Sequence, residues 1–161
     1  MSDIQSDTQQ ETADELVEAF EMFDSWEDRY GFLIDLGRKL PPLDASEKTE
    51  ENRVHGCQSN VWLVARPRPQ GEDQVIEFIA DSDAQIVRGL IAILRKIYSG
   101  QPAEKILSFD ITGLMERLGL DQQLSMGRRN GLDGMVRRIK ALAATLTPEA
   151  AVAQAANGWK Q

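Results

Sequence analysis

The sequence has one cysteine and one histidine, and both lie in residues 54–60, Val-His-Gly-Cys-Gln-Ser-Asn. Gly56 tolerates backbone conformations that other residues avoid, so it can form a sharp turn that carries the Cys57 thiol to the tip of a loop. An accessible thiolate can attack the terminal sulfur of a donor persulfide, and a second exchange can pass that sulfur on. Cys57 can also be a small buried apolar residue, as free cysteines often are. Its turn-forming neighbours favour the loop.

Other kinds of thiol or metal chemistry have less support in the sequence. One cysteine and one histidine cannot supply the four nitrogen and sulfur ligands of a structural zinc site. A Cys-His peptidase needs a base placed against the sulfur, and a general redox thiol needs a second thiol there. The one histidine, His55, lies two residues from Cys57, which is a poor position for such a base. A single cysteine allows no internal disulfide, and no second thiol is present to discharge a persulfide as sulfide. The sequence also lacks glycine-rich phosphate-binding motifs, so nucleotide binding has no support.

The roles of the residues beside Cys57 stay open at this point. His55 can tune the thiolate or can be an exposed strand residue. Ser59 and Asn60 can donate hydrogen bonds to sulfur or can end the turn.

The chain is acidic, but its charge is unevenly distributed. The net charge of its 161 residues is −8. Residues 1–50 hold 14 acidic and 4 basic side chains, a balance of −10, and residues 51–161 hold 12 and 14, a balance of +2. The second part includes a group of basic residues: Arg128, Arg129, Arg137, Arg138 and Lys140. These form either the solvated face of a helix or a docking surface for an acidic partner.

This composition argues against nucleic acid and membrane as partners. Phosphate contacts need clustered basic residues on a basic domain, and this chain is acidic. No apolar run approaches the roughly 18 residues of a membrane span. Residues 1–15 are polar and acidic and have no apolar segment of the secretion-signal type. We therefore expect a cytoplasmic protein.

Apolar periodicity predicts helices, then a small sheet, then helices. A first helix is predicted over 15–23, and a second from Ser25, capped through Asp28, to Leu40. Two strands over 61–65 and 75–80 form a hairpin with a loop of about ten residues that contains Pro67, Pro69 and Gly71.

The predicted second set of helices begins after Asp83, which can act as the N-cap of a helix over 84–98. Pro102 begins a short helix, another covers 112–118, a loop lies between Gly119 and Gly127, and a long helix covers 128–145. This order predicts an α+β fold with a small antiparallel sheet flanked by helices. The expected organisation is a disordered segment over 1–13, one domain over 14–146, and a tail over 147–161 that is a short helix or disordered.

Four ordered blocks resemble the SufE family of sulfur acceptor proteins. Residues 56–63, Gly-Cys-Gln-Ser-Asn-Val-Trp-Leu, resemble its Gly-Cys-x-Ser signature followed by Val-Trp. Residues 81–90 are similar to its Asp-Ser-Asp-Ala-x-Ile-Val-Lys-Gly-Leu, with Arg88 where Lys is usual. Residues 128–132 are similar to its Ser-Arg-x-x-Gly-Leu helix start, with Gly127 where Ser is usual. Residues 26–30, 34–37 and 40–41 match its opening helices.

The resemblance implies a fold shared with the NifU/IscU-type scaffold proteins and a role in sulfur transfer. It implies that Cys57 accepts sulfur from a pyridoxal-phosphate cysteine desulfurase of the SufS or CsdA type, stimulates that enzyme, and passes sulfur to a scaffold such as SufB. The pyridoxal phosphate belongs to the desulfurase, and this chain needs no cofactor of its own. A cluster scaffold needs several thiolates, and this chain has one. The alternative is a regulatory partner that binds a desulfurase without carrying sulfur.

The resemblance also suggests which residues surround the thiol. We expect the Cys57 loop beside the start of the long helix, and we expect it to open when the partner binds. The residues expected to support the loop or dock the partner are His55, Gly56, Gln58, Ser59, Asp81, Asp83 and Arg128.

Overall fold

The computed structural model describes residues 8–71 and 73–146, which form seven α-helices and one two-stranded sheet. The helices are α1 (Thr8–Glu21), α2 (Trp26–Arg38), α3 (Gln85–Tyr98), α4 (Ala103–Ser108), α5 (Ile111–Leu118), α6 (Leu120–Gln123) and α7 (Met126–Thr145). The strands are β1 (Val61–Gln70) and β2 (Asp73–Ser82), and a 3-10 turn covers Ala45–Glu47. The α+β prediction is confirmed. No helix in the described part of the chain has the length and apolar character needed to cross a membrane.

The two strands are longer than predicted, and the predicted ten-residue loop is wrong. They pair antiparallel from Val61 opposite Ser82 to Gln70 opposite Asp73, so only two residues connect them. Leu63 donates its N–H to the Asn52 carbonyl, away from β2. Along a strand, the N–H groups of every second residue point to the same edge. The backbone nitrogens of residues 67 and 69 therefore face the same outer edge as that of Leu63. Prolines at these positions therefore remove no hydrogen bond from the hairpin.

Helix α3 is the centre of the core. Its apolar stripe includes Leu90, Ile93 and Ile97, all fully buried, and it packs against α2 and β2. A Cβ at Gly89 would overlap the Leu33 carbonyl of α2, so the two helices approach as closely as glycine allows. This packing fixes the amino end of α3 beside the end of β2.

Of two predictions for the amino-terminal helices, one is confirmed and one is wrong. Ser25 caps α2 as expected, since its Oγ accepts a hydrogen bond from the Asp28 N–H at 3.1 Å. Helix α1 begins at Thr8 and not at Glu15, so residues 8–13, predicted to be disordered, are helical. Gln9 is buried there and donates Nε2–H to the Ile97 carbonyl at 3.0 Å. A pattern of apolar residues does not predict a buried polar residue of this kind.

The structure also differs from the predictions for two regions in the second half of the chain. The loop between Gly119 and Gly127 contains the short helix α6, and α7 begins at Met126 after the cap Ser125, whose Oγ accepts from the Arg128 N–H at 3.4 Å. Asp83 does not cap α3; Ala84 is the N-cap and has no side-chain bond. Residues 1–7 and 147–161 lie outside the described residues, so the predictions made for them stay predictions.

Candidate functional site

The Cys57 loop is closed at its base and turns sharply just before the thiol. Val54 donates its N–H to the Val61 carbonyl at 2.8 Å, which ties the entry of the loop to the first residue of β1. Gly56 has a φ of 89°, a left-handed conformation that glycine adopts at little cost. The turn predicted at Gly56 is therefore present, and Cys57 follows it directly.

The loop lies on a glycine face of α7. Gly127, Gly131 and Gly134 are spaced by four and three residues, so they share one side of the helix. A Cβ at Gly131 would lie 3.3 Å from Cys57 Sγ, one at Gly134 would lie 3.1 Å from the His55 carbonyl, and one at Gly127 would overlap the Gln58 side chain. The thiol donates to the Gly131 carbonyl at 3.6 Å. Only a helix without side chains on this face lets the loop lie so close.

The thiol borders a small cavity that has both polar and apolar walls. Its volume is about 90 Å³, and its apolar wall is formed by Val87, Leu90, Leu132 and Met135. Cys57 itself is half-buried. Burial raises the pKa of the Cys57 thiol, and the positive charge of Arg53 partly opposes this rise. In this arrangement the sulfur is a protonated thiol at neutral pH.

Asp83 holds the other end of the loop. Its carboxylate accepts hydrogen bonds from the Asn60 N–H at 3.2 Å and from Asn60 Nδ2 at 2.9 Å. The Asp83 N–H donates back to the Asn60 carbonyl at 3.3 Å. Asp83 therefore acts on the last residue before β1, and this replaces the capping role predicted for it.

Comparisons with known proteins identify the family of this chain. The family model described as SufE, Fe-S metabolism associated domain, matches residues 14–143. This chain belongs to the SufE family. It is 45% identical over 127 residues to an uncharacterized SufE-like protein of Rhizobium etli, covering 79% of this chain and 86% of that protein. It is 44% identical over 128 residues to one of Rhizobium meliloti, covering 80% and 91%.

A solved structure shows the same fold. The solution structure of a hypothetical protein from Thermus thermophilus superposes with a TM-score of 0.65 and covers 83% of this chain and 94% of its own. Its sequence identity to this chain is 22%. At that identity the likeness shows the fold alone.

Asp81, the other acidic candidate of this SufE-family chain, is engaged within the chain. Its carboxylate lies 3.2 Å from Lys48 Nζ and 3.1 Å from Arg88 Nε, and it accepts from the Ser82 N–H at 2.8 Å. Its side chain is 17% exposed. Lys48 also lies over the Trp62 ring, 5.5 Å from its centroid. Asp81 thus ties β2 to α3 and to the segment before the Cys57 loop.

The remaining candidates lie around the mouth of the cavity or in solvent. Gln58, Ser59 and Arg128 line the cavity with Cys57. His55 is mostly exposed, with 72% of its side chain accessible, and its Nε2 lies 3.4 Å from Glu50 Oε1. The thiol bonds to Gly131 and His55 faces Glu50, so the structure gives no support to a Cys-His dyad.

Two parts of the site, the glycine face of α7 and Arg53, were not predicted from the sequence. The glycine face of α7 is visible in the sequence as glycines at positions 127, 131 and 134, a spacing that places them on one side of a helix, but Gly127 lies outside the predicted helix over 128–145. Arg53 had no such signal, because its effect on the thiol depends on the fold. Among the described residues no group of His, Cys, Asp and Glu could hold a metal ion.

Proposed function

We propose that this SufE-family chain is a sulfur acceptor that takes persulfide sulfur on Cys57 from a pyridoxal-phosphate cysteine desulfurase. It stimulates that enzyme by removing its sulfur, and it passes the sulfur on for iron–sulfur cluster assembly. The desulfurase is of the SufS or CsdA type, and the recipient is a scaffold such as SufB, in the cytoplasm, where thiols stay reduced. The pyridoxal phosphate is held by the desulfurase.

The observation that carries the proposal is a lone thiol on a loop that borders a small cavity. One water occupies roughly 30 Å³ in the liquid, and the cavity measures about 90 Å³. The space is enough for the terminal sulfur of a persulfide on Cys57. A persulfide held there is shielded from oxidants and from other thiols. The SufE family match supports the same role.

The transfer itself needs no oxidant. The Cys57 thiol first loses its proton to solvent or to a base in the partner's active site. The thiolate then attacks the terminal sulfur of the desulfurase persulfide, a new S–S bond forms at Cys57, the old S–S bond breaks, and the desulfurase cysteine leaves as a thiolate. The sulfur is passed on in the same way, and Cys57 is regenerated.

Burial disfavours the first step in the closed loop, because it raises the pKa of the Cys57 thiol. Movement of the loop away from α7 would expose the thiol and lower that pKa. The contacts to be broken are few: the thiol bond to Gly131, the Asp83–Asn60 bonds, and contacts with a helix face that carries no side chains. We therefore propose that docking on the desulfurase opens the loop.

The experiment that tests this function is desulfurase turnover with the wild-type chain and with Cys57→Ser. Alanine formation from cysteine is measured with and without each protein. A sulfur carrier stimulates turnover, and the serine variant loses the stimulation while its thermal unfolding stays close to wild type. Full stimulation by Cys57→Ser would instead establish a regulatory partner that carries no sulfur.

A further inference from the structure

A second concave surface lies next to the Cys57 cavity. It lies between α5, α6 and α7 and has a volume of about 450 Å³. Met115, Leu124, Leu132 and Val136 form its apolar floor. Leu132 lines both this surface and the Cys57 cavity, so the two are adjacent. We call this surface the α7 groove.

The rim of the α7 groove is basic. Arg129, Arg137 and Lys140 line it, together with Asp121 and Asp133, which leaves an excess of one positive charge. Helix α7 as a whole carries five basic residues and one acidic residue, a balance of +4 in a chain whose net charge is −8.

The basic side chains of α7 have no acidic partners among the residues that the structure describes. Within residues 8–71 and 73–146, no basic side chain of α7 forms an ion pair with a carboxylate. Among the described residues, Arg137 and Arg138 donate to backbone carbonyls, those of Asp133 and Glu51. Elsewhere in the fold, the Arg residues of β1, one of α3 and one of α5 lie against an Asp or Glu. Residues 8–71 and 73–146 therefore leave the excess charge of α7 without a neutralising carboxylate.

We propose that the α7 groove docks an acidic, amphipathic segment of the cysteine desulfurase that delivers sulfur to Cys57. The proposal rests on the proposed function. The unpaired rim charges favour acidic side chains, and the floor accepts apolar ones. From Arg129 to Lys140 the helix rises about 16 Å, at roughly 1.5 Å per residue. That length suits two or three turns of a helix or a short extended segment.

The position of the groove gives the docking a functional consequence. An occupant held along α7 reaches Leu132 and the start of the helix, where the Cys57 loop rests on Gly131. Binding energy gained in the groove thus brings the donor persulfide to the loop without any contact to the thiol itself. Loss of the groove contacts should weaken binding and leave the sulfur exchange at saturation unchanged.

The test uses charge reversal on the rim and a control with the same net charge. The test variant is Arg137→Glu/Lys140→Glu. The control is Arg68→Glu/Lys96→Glu, whose two residues lie toward the far ends of β1 and α3 from the Cys57 loop. Both variants change the charge by −4, so general electrostatic repulsion is matched. A desulfurase that persulfidates the wild-type chain is the probe, and calorimetry gives its affinity.

We expect the rim variant to bind the desulfurase at least about tenfold more weakly than the control does. At saturating desulfurase, single-turnover transfer to Cys57 should match the wild-type rate. Equal affinities of the two variants would overturn the groove proposal and leave the proposed function intact. Self-association of the wild type that only the rim variant loses, with desulfurase binding unchanged, would make the occupant a second copy and also overturn it. If no desulfurase transfers sulfur to the wild type, the proposed function fails and the groove proposal fails with it.

Discussion

Removal of the Asp83 carboxylate should release the Cys57 loop without unfolding the protein. Asp83→Ala deletes the two hydrogen bonds that the carboxylate accepts from Asn60, at 3.2 and 2.9 Å. A net contribution of about 0.5–1.5 kcal/mol is typical for each bond, and both lie at the surface, so about 1–2 kcal/mol is lost in total. That free energy corresponds to a roughly 5- to 30-fold larger population of the open loop.

Alkylation of Cys57 by iodoacetamide measures this population, because the thiol reacts fastest when the loop is open. At fixed pH, below the pKa of the thiol, the second-order rate constant should rise about 5- to 30-fold in Asp83→Ala. The matched control is Asp110→Ala, which removes the bond from the Gly113 N–H that caps α5. The control should lower the unfolding temperature without speeding alkylation. An unchanged rate in Asp83→Ala, with the protein folded, would refute the view that Asp83 holds the loop.

Three further predictions concern the same loop. Arg53→Gln removes the cation that stabilises the thiolate, so the pH midpoint of Cys57 alkylation should rise further above that of a free thiol and the rate at pH 7 should fall a few-fold. Gly131→Leu fills the site of the thiol, so alkylation should be faster, whereas Gly31→Leu, a helical glycine with open space around it, should leave the rate unchanged. As the pH rises above about 8.5, the ordinary pKa of a cysteine thiol, the free energy of unfolding of the wild type should fall relative to that of Cys57→Ala. The folded state raises the pKa of the Cys57 thiol, so the unfolded chain ionises first and is favoured. Parallel stability curves for the two proteins would contradict this.

Local signals in the sequence were enough to predict the α+β order and several element ends. Ser25 caps α2 through the Asp28 N–H, as the spacing of the two residues indicates. The prolines at 67 and 69 misled the strand prediction, because a sequence does not show which edge of a strand is unpaired. Once the Leu63 N–H is known to face outward, both prolines fit the hairpin.

The sequence predicts a site residue correctly only where its chemistry or its local backbone conformation can be recognised from neighbouring residues. Cys57 stands out as the one thiol, and Gly56 before it has the positive φ that a sharp turn requires. The position of Asp83 before a helix predicts a cap, but its carboxylate bonds across to Asn60, which is 23 residues earlier in the sequence. That choice depends on the register of the two strands, which no local pattern specifies.

The most direct test of the central claim is the intact mass of the chain after incubation with a cysteine desulfurase and cysteine, without reductant. If Cys57 carries the sulfur, the wild type gains the mass of at least one sulfur atom, and the gain is reversed by a thiol reductant and absent in Cys57→Ala. An active desulfurase that leaves the wild-type mass unchanged, or a gain that persists in Cys57→Ala, would contradict the assignment of Cys57 as the sulfur carrier.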